Sequence, residues 1–225
     1  MKSKEKVLLV SGTLLIVGFI IWTMLIQIID VHNVGVNSTA VGFATFNTWF
    51  HTATGVNMRL YNITDWLGLV PLLVCAGFGV VGLFQLIKRK SLLKVDFDII
   101  VLGVYYVIVI LCYMLFEIVP INYRPVLING FMEASYPSST TLLVLCVMPT
   151  LVFQLNRRLK SPTVKHILTV LSAAFSAFMV IGRLISGVHW FTDIIGSVLF
   201  STGLFLIYKS LIFLKAERKN KVYGF

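Results

Sequence analysis

Residues 167–214 read ILTVLSAAFSAFMVIGRLISGVHWFTDIIGSVLFSTGLFLIYKSLIFL. Two apolar runs, Ile167–Ile185 and Phe191–Leu214, each reach the roughly 20 residues that carry a helix across a bilayer. Between them lies the stretch GRLISGVHWFTDIIG, which sets Arg183, His189 and Asp193 close together in a chain with only 4 histidines and 9 acids. A cation, an imidazole and a carboxylate at the joint of two membrane-length runs raise a question of chemistry, and the runs themselves settle the fold class.

Working outward, four more runs of this kind precede the pair: Val7–Ile29, Trp66–Ile87, Ile99–Val119 and Ser139–Leu155, the last the shortest and containing Pro149. The 225 residues are 58% hydrophobic and 12% charged, with a mean hydropathy of +0.92. A soluble domain carries about a quarter charged residues. The sequence therefore predicts an all-α integral membrane bundle of six transmembrane helices, spanning 1–225 as a single domain. The first run follows MKSKEK and is too long for a cleaved leader's apolar core, so it reads as a retained signal anchor.

Orientation follows from the basic residues. Of the 19 Lys and Arg, all but Arg59, Arg124 and Arg183 fall at one side if the N-terminus is cytoplasmic. Lys209 is placed there because it can snorkel from the last span. The positive-inside rule then puts both termini in the cytoplasm. The net charge of +10 is matched by anionic headgroups at that face and needs no nucleic acid. Two of the three exceptions, Arg124 and Arg183, lie beside other polar groups at outer helix ends.

Cys75, Cys112 and Cys146 sit in separate runs without metal-ligand spacing and read as buried apolar side chains. The segment Asp30–Asp65 is the longest expected loop, on the outer side. Its FNTWFHTATG stretch suits the headgroup region, and His51 there reads as an interfacial side chain rather than a catalytic one. Asn37 and Asn62 match the glycosylation pattern. Thr64 and Asp65 read as cap residues of the second span, and KAERKNKVYGF as a short cytoplasmic tail.

The polar cluster has a chemical reading. If the sixth helix begins near His189, then His189 and Asp193 share one face. A carboxylate on one imidazole nitrogen leaves the other basic and free to act as a nucleophile or base. Arg183 offers a planar fork suited to phosphate oxygens. Alone, the trio is equally consistent with an ion pair capping a short loop. The other outer loop, FEIVPINYRPVLINGFMEASYPSSTT (Phe116–Thr141), adds Arg124 and then Ser138, Ser139 and Thr140 at the start of a span. Amides at a helix N-terminus bind anions. Two arginines, such a terminus and a free imidazole form a phosphate cradle with a nucleophile beside it.

In this register the chain resembles the type 2 phosphatidic acid phosphatases, or lipid phosphate phosphatases. Their signature is Lys-x6-Arg-Pro, Pro-Ser-Gly-His and Ser-Arg-x5-His-x3-Asp. Here the order is Glu117-x6-Arg124-Pro125, Pro137-Ser138-Ser139-Thr140 and Gly182-Arg183-x5-His189-x3-Asp193. The resemblance covers nearly the whole chain and implies that His189 is the nucleophile, forming a phosphohistidine, and that Asp193 orients it. It assigns phosphate binding to Arg124, Arg183, Ser138 and Ser139, and implies no metal and no cofactor. Three positions depart: Glu117 replaces a lysine, Thr140 replaces the histidine that protonates the leaving group, and Gly182 replaces a serine. Glu117 is a candidate replacement acid, though a charge neutralising Arg124 is the preferred reading; Glu133 is a third candidate. The expected activity is metal-independent hydrolysis of a phosphorylated lipid, such as a polyprenyl diphosphate or a phosphatidyl phosphate, at the outer face of the plasma membrane. The alternative is a phosphatase-like protein that binds such lipids without turnover. Transport is disfavoured, because the cluster lies at one edge rather than near the bilayer midplane. The partners implied are the lipid and the bilayer, with no nucleic acid and no assigned oligomeric state.

Overall fold

A chain in hydrocarbon must satisfy its backbone polar groups internally, so apolar runs become helices. A computed structural model describes residues 4–223, with side chains through 216. Eight α-helices follow in order: α1 Lys4–Ile28, α2 Ala44–Thr54, α3 Met58–Leu67, α4 Leu69–Arg89, α5 Phe97–Ile118, α6 Ser139–Arg158, α7 Pro162–Ile185 and α8 Phe191–Tyr223. Among the described residues there are no strands, only isolated bridges. Six helices are long and apolar enough to cross a membrane, with α3 and α4 counted as one. The protein is an all-helical, multi-pass membrane protein.

Helix α6 is the axis. Thr140, Thr141, Leu142, Val144, Cys146, Val147, Met148, Thr150 and Gln154 along it are buried, and it packs against α7 on one side and α8 on another. Pro149 lies inside this helix without ending it. Its neighbour Thr150 bonds back to the Val147 carbonyl (2.7 Å) and to Tyr106 Oη (2.8 Å). Helix α1 lies along α8 at very close range: a Cβ on Gly12 would sit 2.9 Å from the Gly203 carbonyl oxygen. Small residues at such crossings let backbones approach where lipid offers no hydrophobic drive. By contrast, Leu73, Phe84 and Ile87 on α4 are exposed, as expected of a helix whose outer face meets lipid. Cys146 is buried, whereas Cys75 and Cys112 are half-buried and pack against the same central cluster.

The helices depart from the hydropathy reading in three places. The second span starts at Met58 rather than Trp66, because Asn57 Oδ1 caps it by accepting from Leu60 N (3.0 Å). Thr64 and Asp65 are therefore not caps but lie within α3; Thr64 Oγ1 bonds back to the Leu60 and Tyr61 carbonyls, each at 2.9 Å. Within the expected outer loop, α2 forms a short helix whose aromatic residues Phe46 and Phe50 pack on Phe191. The last helix continues to Tyr223 through the stretch expected to be a tail; Gly224, Phe225 and the first three residues lie outside the described residues.

The ends of the bundle differ in chemistry. Asp98 pairs with Arg158 (2.9 Å) and Arg157 (3.7 Å), and Asp96 pairs with Arg89 (2.7 Å), joining the α4–α5 and α6–α7 connections at one end. At the other end, residues 119–138 fold back between α5 and α6. Tyr136 plugs this loop into the bundle: its ring stacks on Phe19, its hydroxyl bonds to Thr23 Oγ1 at 2.7 Å, and it is 1% exposed. Ser135 directly precedes this plug, and Ser138 follows it at the start of α6.

Candidate active site

His189 and Asp193 meet differently from the expected helix-face pair. Helix α8 begins at Phe191, so His189 precedes it and Asp193 stands in its first turn. A carboxylate there reaches back to the amide at the helix start, as in half of a capping box, and Asp193 Oδ2 accepts from Trp190 N at 2.9 Å. The same oxygen accepts from Ser135 Oγ. His189 Nδ1 lies 3.7 Å from Oδ2, beyond hydrogen-bond distance. Its nearer partners are the Ser135 carbonyl and hydroxyl oxygens, both at 3.1 Å. Asn122 Nδ2 approaches Asp193 Oδ1 at 3.5 Å. Nothing in the spacing of His189 and Asp193 pointed to Ser135; the only sequence signal was its place two residues before Pro137.

Nδ1 donates to the Ser135 carbonyl, which leaves Nε2 as the lone-pair nitrogen. His189 is 3% exposed, and Nε2 is buried with no hydrogen-bond partner among the described residues. Burial, then the positive charges of Arg124 and Arg183, holds this imidazole well below the ordinary histidine range, against the Ser135 bond that favours the cation. The ring is neutral near pH 7, the protonation state in which an imidazole nitrogen has a free lone pair.

The two arginines are buried as well. Arg183 is 1% exposed; its Nη2 donates to Asp65 Oδ1 at 2.7 Å and to Thr140 Oγ1. Arg124 is 6% exposed, and its Nε lies 3.2 Å from Glu133 Oε2. Both guanidiniums stand over the Tyr61 ring, at 4.8 Å for Arg183 and 5.7 Å for Arg124. Arg183 Nε and Arg124 Nη1 are buried without a hydrogen-bond partner among the described residues. Buried guanidinium donors cost free energy until an acceptor meets them, and phosphate oxygens are the acceptors their geometry suits.

Arg124 pairs with Glu133 and not with Glu117, contrary to the preferred sequence reading. The loop runs antiparallel at this point: Tyr123 bridges to Ala134, and Arg124 N donates to the Glu133 carbonyl at 3.1 Å. Adjacent positions on paired segments bring those side chains together. Glu117 makes no ion pair among the described residues and borders a small cleft with Tyr113, Tyr136 and Ser139.

Ser138 is fully buried at the start of α6. Its amide donates to the Asp193 carbonyl at 3.3 Å, its hydroxyl to Thr141 Oγ1 at 3.0 Å, and its carbonyl accepts from Ser197 Oγ at 3.0 Å. Its amide and its one hydroxyl proton are both committed, so the α6 terminus can offer an anion its amides from Ser139 onward, which lack carbonyl partners in a first helical turn. Gly182 is explained by packing: a Cβ there would lie 2.8 Å from Thr64 Cγ2, so a serine would push α7 from α3. His51, expected at the interface, bonds through Nε2 to the Gly187 carbonyl at 3.1 Å and steadies the loop before His189.

A cavity of about 390 Å³ opens from Asp65, Ser139 and Thr140 and runs between α4, α5 and α6 past Leu72, Val109 and Ile110. Among the described residues no group of three or more His, Cys, Asp or Glu side chains could hold a metal. Tyr61, Asp65, Asn122 and Ser135 border this cluster although sequence reading did not assign them to it.

The PAP2 superfamily model matches residues 75–217, and no curated protein matches. The fold is similar to the crystal structure of a transmembrane PAP2-type phosphatidylglycerolphosphate phosphatase from Bacillus subtilis. The TM-score is 0.62 at 18% identity, with 92% of this chain and 96% of that one covered.

Proposed function

Since the chain belongs to the PAP2 superfamily, we propose that it is a metal-independent lipid phosphate or diphosphate phosphatase acting through a phosphohistidine at His189. The observation that carries the reading is that Arg124 Nη1, Arg183 Nε and His189 Nε2 are all buried without a hydrogen-bond partner among the described residues, with both guanidiniums over the Tyr61 ring and near enough to His189 to disfavour its cation. Two cations and a neutral nucleophile at one helix N-terminus suit phosphoryl transfer, where positioning and charge stabilisation do most of the work. Arg124 and Arg183 hold the nonbridging oxygens. Nε2 attacks phosphorus, the N–P bond forms as the P–O bond to the lipid breaks, and Nδ1–H keeps its bond to Ser135. Water then attacks the phosphohistidine, releasing phosphate and restoring Nε2.

The substrate is membrane-borne, because the cavity leading from Thr140 runs between apolar helix faces where a lipid tail can lie. The basic residues gathered at the opposite end support a site on the outer face of the plasma membrane, with both termini inside. Lipid diphosphates are favoured over monophosphates: Thr140 stands where relatives have an acid, and a departing phosphate needs protonation less than a departing alkoxide.

A second reading, binding without turnover, is favoured by Thr140 and Glu117 alone. Purified protein given a prenyl diphosphate, a phosphatidyl phosphate and a phosphatidylglycerol phosphate in detergent micelles should release phosphate from at least one. His189→Ala should release none. Tight lipid binding without release by the unmodified protein establishes the second reading instead.

A further inference from the structure

We propose that Ser135 is a positioning residue through which Asp193 acts on His189, so that the orienting contact is a three-membered relay rather than a direct pair. The inference rests on the phosphohistidine reading above. Its geometric basis is that Asp193 Oδ2 stays 3.7 Å from Nδ1, while the Ser135 hydroxyl touches both groups.

The proton count fixes the direction of the relay. A serine hydroxyl has one proton and can accept as well as donate. That proton goes to Asp193 Oδ2, the stronger acceptor, so the contact with Nδ1 at 3.1 Å is donated by the imidazole. The Ser135 carbonyl, also 3.1 Å away, accepts the same Nδ1–H. One residue therefore holds the tautomer twice, by backbone and by side chain. When Nε2 bonds to phosphorus, the leaving oxygen departs with the P–O electron pair and the ring becomes cationic. No proton passes to Asp193; the two bonds in series place the carboxylate charge behind the imidazolium.

Ser135 is held tightly enough for this task. It is 1% exposed, its amide donates to the Asn122 carbonyl at 2.9 Å, and the adjacent Tyr136 is locked to Thr23. Asp193 is equally committed, with Trp190 N on Oδ2 and Asn122 on Oδ1. Swinging Asp193 onto the ring would open the cap of α8.

The test is a double-mutant cycle on kcat and KM, using a prenyl diphosphate in micelles. Ser135→Ala and Asp193→Asn should each lower kcat by roughly 10- to 100-fold, the range for losing a bond to a charged group, with KM within about twofold. The double variant should be no more than about threefold slower than the slower single variant, because both remove one relay. Ser135→Thr, which keeps the hydroxyl, should recover most of the rate. Multiplying effects, or wild-type kcat in Ser135→Ala, overturn the relay. If His189→Ala is inactive while Ser135→Ala is unimpaired, only the relay falls; if His189→Ala is fully active, the phosphohistidine reading falls first. On the unmodified protein, ¹⁵N-histidine spectra should show His189 protonated at Nδ1. A proton on Nε2 refutes the relay without any variant.

Discussion

Replacing Asp65 with asparagine should tighten phosphate binding while weakening the fold. The Asp65 carboxylate sits 2.7 Å from Arg183 Nη2, on the guanidinium that would hold substrate. A phosphoryl group on the far edge of that guanidinium lies about 6 Å from the carboxylate, and two unit charges at that range repel by roughly 0.7 to 3 kcal/mol for effective dielectrics of 80 to 20. The Asp65 side chain is 55% exposed, so the lower part of the range applies, about 1 kcal/mol. That amounts to roughly a fivefold fall in KM, and in the inhibition constant of inorganic phosphate, which has no tail to confuse the measurement. Misplacement of Arg183 would act the other way. The substituted amide still offers an acceptor in the same place, and the Tyr61 ring and Thr140 also hold the guanidinium; the charge effect therefore wins. Stability should fall by about 1 kcal/mol, as an ion pair becomes a bond from a cation to a neutral amide, or roughly 2–4 °C in thermal midpoint. A KM or phosphate inhibition constant that is unchanged or raised refutes the idea that Asp65 competes with substrate for Arg183.

Three further outcomes are expected. Unfolding exposes His189 to water, where its pKa returns to about 6.5, so below that pH the unfolded chain takes up a proton that the folded one refuses. Stability then rises with pH through this region, and the thermal-midpoint difference, wild type minus His189→Gln, should shrink between about pH 7.5 and pH 5; a constant difference contradicts the buried neutral ring. Thr140→His should raise turnover of a lipid monophosphate by a larger factor than that of a diphosphate, within the roughly 10²–10⁴-fold range of a placed acid; equal gains show that leaving-group protonation is not limiting. In intact cells, a membrane-impermeant thiol reagent should label Asn129→Cys but not Lys160→Cys, and the reverse pattern overturns the orientation.

Much of the molecule was legible from the chain alone, because a bilayer makes hydrophobic length a direct signal. Six spans could be counted from apolar runs, and the serine-rich start of α6 was visible at Ser139. Arg124, Arg183, His189 and Asp193 stood out because charge is rare in such a sequence. What hydropathy could not show is where an amphipathic helix precedes an apolar one: Asn57, not Asp65, starts the second span, which frees Asp65 to meet Arg183. Only the tertiary structure decided the partners. Glu133 takes Arg124 because the loop doubles back at Tyr123 and Ala134. Ser135 stands between His189 and Asp193 because Tyr136 is buried beside Phe19 and α8 begins after the histidine. Spacing along a chain reports neighbours within one helix; contacts between a folded loop and two helix ends depend on packing that no local pattern encodes.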